Sequence, residues 1–246
     1  MPATTTIYIA HAEEPTVTKS TDLDSEPNKD RWPSKVESYK KRNVPLVEPT
    51  YATFSLAPML PAILHDLQVQ ISTDIVNIAL QYSIHACPSR MRREMKIVFP
   101  EVAGKENNLL IIPTFQKTTS SMVGYEVETQ IEKDAKLHAF YRWGSELVSR
   151  LRKQGYWADI TDPMSGMALF TASGPSLYPD VEGAEILLRY SQINIGTCFV
   201  LSHPHWGTKV YPATAFTLAP INVVKITISA MQTNIHCSSM SVVDGS

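Results

Sequence analysis

The sequence feature that most constrains the fold is a helical period of apolar residues across 132–153. Apolar side chains recur there at intervals of three and four, at Leu137, Phe140, Tyr141, Gly144, Leu147, Val148 and Leu151. Charged residues occupy the positions between them, which predicts an amphipathic helix with one buried stripe. A stripe of this length needs a long apolar surface to cover it, so we expect the helix to lie across a β-sheet.

Segments of strand length and pattern are predicted to supply that sheet. The clearest is 75–86, where apolar residues stand at every second position. The run 109–116 has the length of a buried strand, and 125–129 alternates like its antiparallel hairpin partner. Two further strands are predicted at 199–202 and 208–217. Together with the helix, these segments predict an α+β fold with a mostly antiparallel sheet and packed helices.

Glycine and proline indicate where the other elements begin and end. Pro88 opens a short helix that Pro100 ends. Three of its side chains are predicted to face inward: Met91, Met95 and Val98. Gly155 offers a left-handed cap to the long helix, and a strand, a tight turn and a strand follow over 155–171. The segment 184–190 fits a helical turn and a strand equally well.

Composition divides the chain into one domain and two tails. Residues 1–50 are predicted to form a mostly disordered N-terminal tail, because 11–50 is rich in Pro, Ser, Thr, Lys and Glu without a sustained apolar period. Residues 51–230 are predicted to form a single α+β domain, which begins with an extended segment around Pro58 and Pro61. Residues 231–246 are predicted to be a frayed C-terminal tail.

Charge and cysteine content indicate a cytoplasmic protein without nucleic-acid or membrane partners. The net charge is −2 with a pI of about 6.4, so the chain lacks the net positive charge that favours binding to nucleic acid or an anionic membrane. The apolar run 216–231 is interrupted by Pro220 and Lys225, so it is too polar to span a membrane. The acidic first 30 residues do not resemble a mitochondrial presequence. Three dispersed cysteines predict no disulfide framework.

Motifs for the common catalytic chemistries are missing from the sequence. No glycine-rich phosphate loop follows a predicted strand, and there is no Gly-x-Ser-x-Gly elbow. A zinc site could combine Cys198, His203 and His205 with His236-Cys237. The spacing matches no usual zinc template, so the residues 203–207 are interpreted as a turn whose imidazoles hydrogen-bond to backbone groups.

Several other polar positions have a structural interpretation. Asp159 and Asp162 could form an acid–base pair, but their place beside an Asp-Pro turn favours capping of turn amides. Trp157 is predicted to bury its indole, and Gly207 to adopt a backbone conformation that a Cβ would strain. Cys198 lies on an apolar strand, so it is predicted to be buried on the same face as Val200.

Six short motifs, in this order along the chain, carry a family resemblance. They are Ala86-Cys87-Pro88, Val98-Phe99-Pro100-Glu101-Val102, Gln116-Lys117-Thr118, Gly155-Tyr156-Trp157-Ala158-Asp159, Asp162-Pro163-x-Ser165-Gly166 and Trp206-Gly207-Thr208. This set closely resembles the methylmalonic aciduria and homocystinuria type D family of cobalamin-trafficking adaptors, often called CblD. The resemblance covers residues 75–217.

The resemblance implies a non-enzymatic adaptor with a nitroreductase-like fold that has lost flavin binding. Such a protein binds no cofactor on its own and meets cobalamin only in a complex with the type C cobalamin-processing protein. It directs the cofactor to methionine synthase in the cytosol or to methylmalonyl-CoA mutase in mitochondria. The acidic N-terminus makes the cytosolic branch the expected one.

The sequence departs from the family pattern at the expected cobalt-facing position. Where the family has a Cys-Cys pair after the glycine that matches Gly196, this chain has Thr197 and Cys198. In the family the first cysteine resembles a cobalt ligand, and a hydroxyl is a poorer ligand than a thiolate. Thr197 and Cys198 are thus both candidate cobalt-facing positions. Cys198 could take that role only if a one-residue shift of the backbone or a bulge re-oriented it.

Two other classes of function are compatible with parts of the sequence. A flavin-dependent nitroreductase-like oxidoreductase would need basic residues placed for the flavin phosphate, and the sequence shows no such motif. A small zinc enzyme would use the Cys198, His203 and His205 group described above.

Overall fold

The computed structural model describes residues 45–56, 76–196 and 198–232. In this part of the chain a five-stranded sheet runs in the order β1-β2-β3-β7-β4, with every neighbouring pair antiparallel. Its strands are β1 (Val47–Leu56), β2 (Val76–Ala86), β3 (Leu110–Lys117), β4 (Ala158–Ile160) and β7 (Val210–Thr217). A separate hairpin pairs β5 (Ser191–Ile195) with β6 (Cys198–Ser202). The helices described are α1 (Ser89–Val98), α2 (Val127–Lys153), α3 (Asp180–Leu188) and α4 (Ile221–Gln232).

Helices cover both faces of the central strands. On one face α2 and α4 pack against Ile112 of β3 and Ala215 of β7. On the other face α1 and α3 pack against Ile111 and Phe216, which are adjacent to Ile112 and Ala215 in the same strands. Successive side chains of a strand point to opposite faces, so a strand covered on both sides is apolar at nearly every position. This explains why 109–113 is a continuous apolar run, and the polar Thr114 and Gln116 that follow are buried too.

The long helix lies across the sheet as predicted, but it begins earlier. Its buried stripe belongs to the same apolar cluster as Phe54, Leu80 and Ile160 of the sheet. The predicted hairpin strand 125–129 is wrong, because Val127 starts α2 and β3 pairs with β2 and β7 instead. The side chain of Val127 is 70% exposed, so the alternation seen in the sequence does not mark a buried strand face.

The other predicted elements agree with the structure to different degrees. Strand β2 and helix α1 are confirmed, and α1 buries the three side chains predicted to face inward. The undecided segment 184–190 falls largely within α3. The predicted strands at 199–202 and 208–217 exist, but they belong to different sheets. Helix α4 was not predicted.

The α+β class with a mostly antiparallel sheet is confirmed. Strand β1 begins at Val47, whereas residues 1–44 and 233–246 lie outside the described part of the chain. The limits proposed for the two tails therefore stay predictions. No helix among the described residues is long and apolar enough to cross a membrane.

Gly144 determines how closely α2 can approach the sheet. A Cβ on Gly144 would lie 2.8 Å from Cγ2 of Ile160 in β4. We predict that Gly144→Val lowers the free energy of unfolding by about 2 to 3 kcal/mol, because overpacking this contact forces the helix from the sheet. Urea denaturation followed by circular dichroism measures the change.

The neighbouring Ser145 provides a control in the same helix turn. Ser145 is 3% exposed, and its Oγ has no hydrogen-bond partner in the described part of the chain. Ser145→Ala should therefore leave stability unchanged or raise it by up to about 1 kcal/mol. Equal losses in the two variants would contradict a specific close approach at Gly144.

Candidate functional site

A two-residue turn joins the strands of the β5–β6 hairpin. The strands pair without a register shift from Ser191↔Ser202 to Ile195↔Cys198, which leaves Gly196 and Thr197 between them. Gly196 has a φ of +82°, the left-handed conformation that two-residue hairpin turns require. This requirement gives a physical reason for the glycine of the family pattern. Thr197 itself lies outside the described residues.

Cys198 is exposed on this hairpin, so the prediction that it is buried is wrong. Leu201 is the β6 side chain that enters the core, at 1% exposure, and alternation places Cys198 on the opposite face. The exposed Phe199 and Ile193 show that both faces of the hairpin meet solvent near its turn. No bulge is needed, because the pairing is regular as far as Cys198.

The base of the hairpin is held by His203. Its ring stacks on Trp206 with centroids 4.0 Å apart, and its Nε2 lies 2.8 Å from Oε1 of Gln81 in β2. Nδ1 accepts a hydrogen bond from the backbone N–H of His205, so the neutral ring carries its proton on Nε2 and donates it to Gln81. Burial, with a smaller contribution from His205, lowers the pKa of His203 to about 4.

The segment 203–207 forms the turn that the sequence predicts. His203 and Gly207 exchange two backbone hydrogen bonds of 2.9 Å, and Gly207 has a φ of +55°. Both ring nitrogens of His203 are already engaged. No group of three or more potential metal ligands occurs among the described residues. His236 and Cys237, the other members of the possible zinc site, lie outside the described part of the chain.

The two aspartates of the family motifs bind turn groups. Asp162 accepts hydrogen bonds from the amides of Met164 and Ser165 and from the hydroxyls of Ser165 and Tyr141. Asp159 Oδ1 accepts a hydrogen bond from the backbone amide of Phe170 at 2.9 Å. The backbone amides of Ile160 and Leu169 donate to the same oxygen. The predicted capping role is confirmed for both residues. They position the turn 162–166 and the chain that follows β4.

Trp157 is less buried than predicted. Its indole is half-buried, packs edge-on against Phe99 at 5.3 Å between centroids, and donates from Nε1 to Oε2 of Glu101 at 3.1 Å. This contact joins two of the family motifs, since Phe99 and Glu101 belong to the second one. The neighbouring Tyr156 is half-buried too. Gly155 has a φ of +85°, which confirms the predicted left-handed position after the long helix.

A cleft of about 710 Å³ lies between the turn 162–166, hereafter the motif turn, and the β5–β6 hairpin. The turn 163–166 forms one wall and the segment 177–182 another. Phe199 and Gln192 of the hairpin close a third side, with Tyr211 and Pro212 of β7 beside them. The chain thus brings the Asp-Pro-x-Ser-Gly motif and the strand that carries Cys198 to a common cavity.

Two aspartates near this cleft have opposite pKa shifts. Burial raises the pKa of Asp180 to about 7; the hydrogen bond donated by Thr214 opposes the rise, and the charge of Asp162 adds to it. Burial acts in the same direction on Asp162, but the hydrogen bonds from Ser165, Met164 and Tyr141 outweigh it and hold its pKa below the usual range.

The sequence interpretation missed the α3 wall of the cleft. No element was predicted for 173–183, although Pro179-Asp180-Val181-Glu182 has the proline and the acidic first turn that are typical of a helix start. That signal could have identified α3. Tyr178 and Tyr211 carry no comparable signal, because only the fold brings them together.

Comparison with known proteins decides the family. The model of the methylmalonic aciduria and homocystinuria type D protein family matches residues 55–228, which include the hairpin, the motif turn and the cleft. The chain belongs to this family. The resemblance seen in the sequence motifs is thereby confirmed.

The similar curated proteins of the type D family are all named cobalamin trafficking protein CblD. Those of Rattus norvegicus and Homo sapiens are each 34% identical over 140 residues, covering 57% of this chain and 47% of the relative. The protein of Gallus gallus is 30% identical over 143 residues, covering 58% of this chain and 48% of the relative. This chain therefore spans about half the length of the curated relatives it matches.

We predict that replacing Asp180 or Asp162 by asparagine changes the stability of this type D family member in opposite directions. The folded pKa of Asp180 lies above the unfolded value of about 4, so its contribution to stability is lost as pH rises towards 7. Asp180→Asn should match the wild type near pH 4 and be more stable at pH 8, by about 1 kcal/mol or more. The asparagine oxygen can still accept the Thr214 hydrogen bond.

Asp162→Asn is the matched comparison. In the wild-type protein the folded-state pKa of Asp162 lies below the usual range. The stability that the Asp162 carboxylate contributes is therefore present at neutral pH and lost in acid. This variant should be less stable than the wild type at pH 7, and the difference should shrink towards pH 3. Thermal melts between pH 3 and 8 test both variants, and a shift of the same sign in both at pH 8 would refute the assignment.

Two left-handed glycines should differ in their tolerance of alanine. Gly166 (φ +74°) and Gly207 (φ +55°) both occupy the left-handed region, but only at Gly166 would a Cβ meet backbone, 2.8 Å from the carbonyl oxygen of Tyr178. Gly207→Ala should cost about 1 to 2 kcal/mol from backbone strain alone. Gly166→Ala should cost clearly more, since the turn must also shift. Equal midpoints in urea denaturation would argue against this difference.

Proposed function

We propose that this protein is a non-enzymatic adaptor in intracellular cobalamin trafficking. In this proposal it docks on a type C-like cobalamin-processing protein and presents the Cys198 thiolate to the cobalt of the cobalamin held there. The observation that carries the proposal is the exposure of Cys198 on the β5–β6 hairpin of a type D family member. Thr197, the other candidate position, has no ligand role in this proposal.

The hairpin has the properties that such a presentation requires. A thiol that reaches a metal bound by another protein must project from its own domain on a firmly held support. Leu201 is buried at the base of β6, and His203 bonds to Gln81 of the sheet. Near the turn, Cys198 and Phe199 are both exposed. A soft thiolate is a suitable ligand for a transition metal, and the metal itself would stabilise the thiolate.

An adaptor role without flavin is supported by the lining of the cleft. The described residues that line it include Asp180, Glu182 and Glu185 but no lysine or arginine. A flavin phosphate needs cationic or backbone N–H donors, so this cavity is poorly suited to it. We extend the proposal to a nitroreductase-like fold that has lost flavin binding and that delivers cobalamin towards methionine synthase or methylmalonyl-CoA mutase.

The absorption spectrum of cobalamin bound to the type C-like partner tests the proposal. Adding the wild-type protein should form a heterocomplex and produce a new cobalt–sulfur band. Cys198→Ser should abolish the band while the protein remains folded, because an exposed side chain contributes little to stability.

Two controls identify the ligating residue. Cys87→Ala should leave the band intact, because Cys87 is 1% exposed and burial raises its thiol pKa to about 12. Thr197→Ala should also leave it intact, since the hydroxyl would not be the ligand. A band that survives in Cys198→Ser, or the failure of the wild type to form any complex with the cobalamin-loaded partner, would contradict the proposal.

A further inference from the structure

We propose that the cleft beside the hairpin docks a segment of the partner protein that carries arginine or lysine flanked by apolar residues. This inference rests on the proposed function for the identity of the partner, but not for the chemistry of the docked segment. It assigns a second contact, apart from the thiol, to the hairpin that carries Cys198, on the face that carries Phe199.

The rim of the cleft is apolar and exposed. Met164, Leu177 and Phe199 are 75%, 55% and 57% exposed, and each comes from a different wall. Large apolar side chains that are exposed together around a cavity are typical of an interaction site. The volume of about 710 Å³ lies in the range of cavities that hold a few side chains.

The carboxylates that line the cleft favour a positively charged ligand. Glu182 and Glu185 are exposed on successive turns of α3, and Asp180 precedes them on the same wall. Gln192 of the hairpin donates a hydrogen bond to Oε2 of Glu185, and no lysine or arginine stands among the described residues that line the cleft. A groove lined by charge of one sign attracts ligands of the opposite sign, so a cationic side chain fits here and an acidic one does not.

The environment of Asp180 supports the same conclusion. Its half-buried carboxyl accepts a hydrogen bond from Thr214 Oγ1 at 2.5 Å, but no lysine or arginine stands among the described residues that line the cleft with it. A desolvated carboxylate without a cation is costly, and the raised pKa of Asp180 reflects this cost. An arginine or lysine that entered the cleft would relieve it.

The first experiment uses two short fluorescent peptides with this protein alone. One alternates arginine and leucine, and the other alternates glutamate and leucine. Fluorescence anisotropy should show the arginine–leucine peptide binding at least tenfold more tightly, with an affinity that falls as salt is raised. Equal binding of the two peptides, or no binding of either, would overturn the inference.

Matched variants locate the binding. The double variant Glu182→Gln, Glu185→Gln should weaken the arginine–leucine peptide at least fivefold and reduce its salt dependence, whereas Glu94→Gln on α1 should not. Met164→Ser should weaken it as well, whereas Ile226→Ser, at a residue of α4 that is 68% exposed, should not. Equal losses in the control variants, or no loss in the cleft variants, would show that the peptide binds elsewhere.

The second experiment separates this inference from the proposed function. The double glutamine variant is titrated with the cobalamin-loaded type C-like partner, with affinity and the cobalt–sulfur band measured together. We expect affinity to fall at least fivefold and the band to be complete once the partner is saturating. Unchanged affinity with a normal band would refute the docking inference and leave the thiol proposal standing. Peptide binding without any band in the wild-type complex would refute the thiol proposal alone.

Discussion

The antiparallel pairing of β3 with β7 is the constraint on which the rest of the structure depends. The two strands pair from Leu110↔Thr217 to Lys117↔Val210, and each is covered by helices on both faces. A strand in this position satisfies its backbone groups within the sheet and buries side chains on both sides. The two helical layers thus depend on one shared pair of strands for their cores.

The same pair positions the candidate site. Strand β7 contributes Tyr211 and Pro212 to the cleft, while Thr214 bonds to Asp180 at the start of α3. Phe115 of β3 packs with Tyr190 and His203 at the base of the hairpin. The β3–β7 pair therefore supports both α3 and the β5–β6 hairpin, and each of these has exposed residues at the cleft or the hairpin turn. For the adaptor proposed above, this arrangement would offer the partner a surface that is held by the sheet.

Local patterns were sufficient for elements whose burial follows from their own period. The alternation of β2, the inward side chains of α1 and the stripe of α2 are each decided by residues close in sequence. The same reasoning failed at 125–129, where an apolar alternation lies on the exposed first turn of a helix. It failed again for α4, whose apolar run was considered only as a membrane span. A short alternation fits both a strand and a helix end, and burial alone separates them.

The sequence by itself determined the fold class, the left-handed positions of Gly155 and Gly207, the capping aspartates and the family, since these depend on local backbone chemistry and on motif order. The tertiary structure decided the exposure of Cys198 and the existence of the cleft. Alternation places residues on two faces of a strand, but it cannot say which face is covered. At the β5–β6 hairpin neither face is covered near the turn, because the hairpin is not part of the five-stranded sheet.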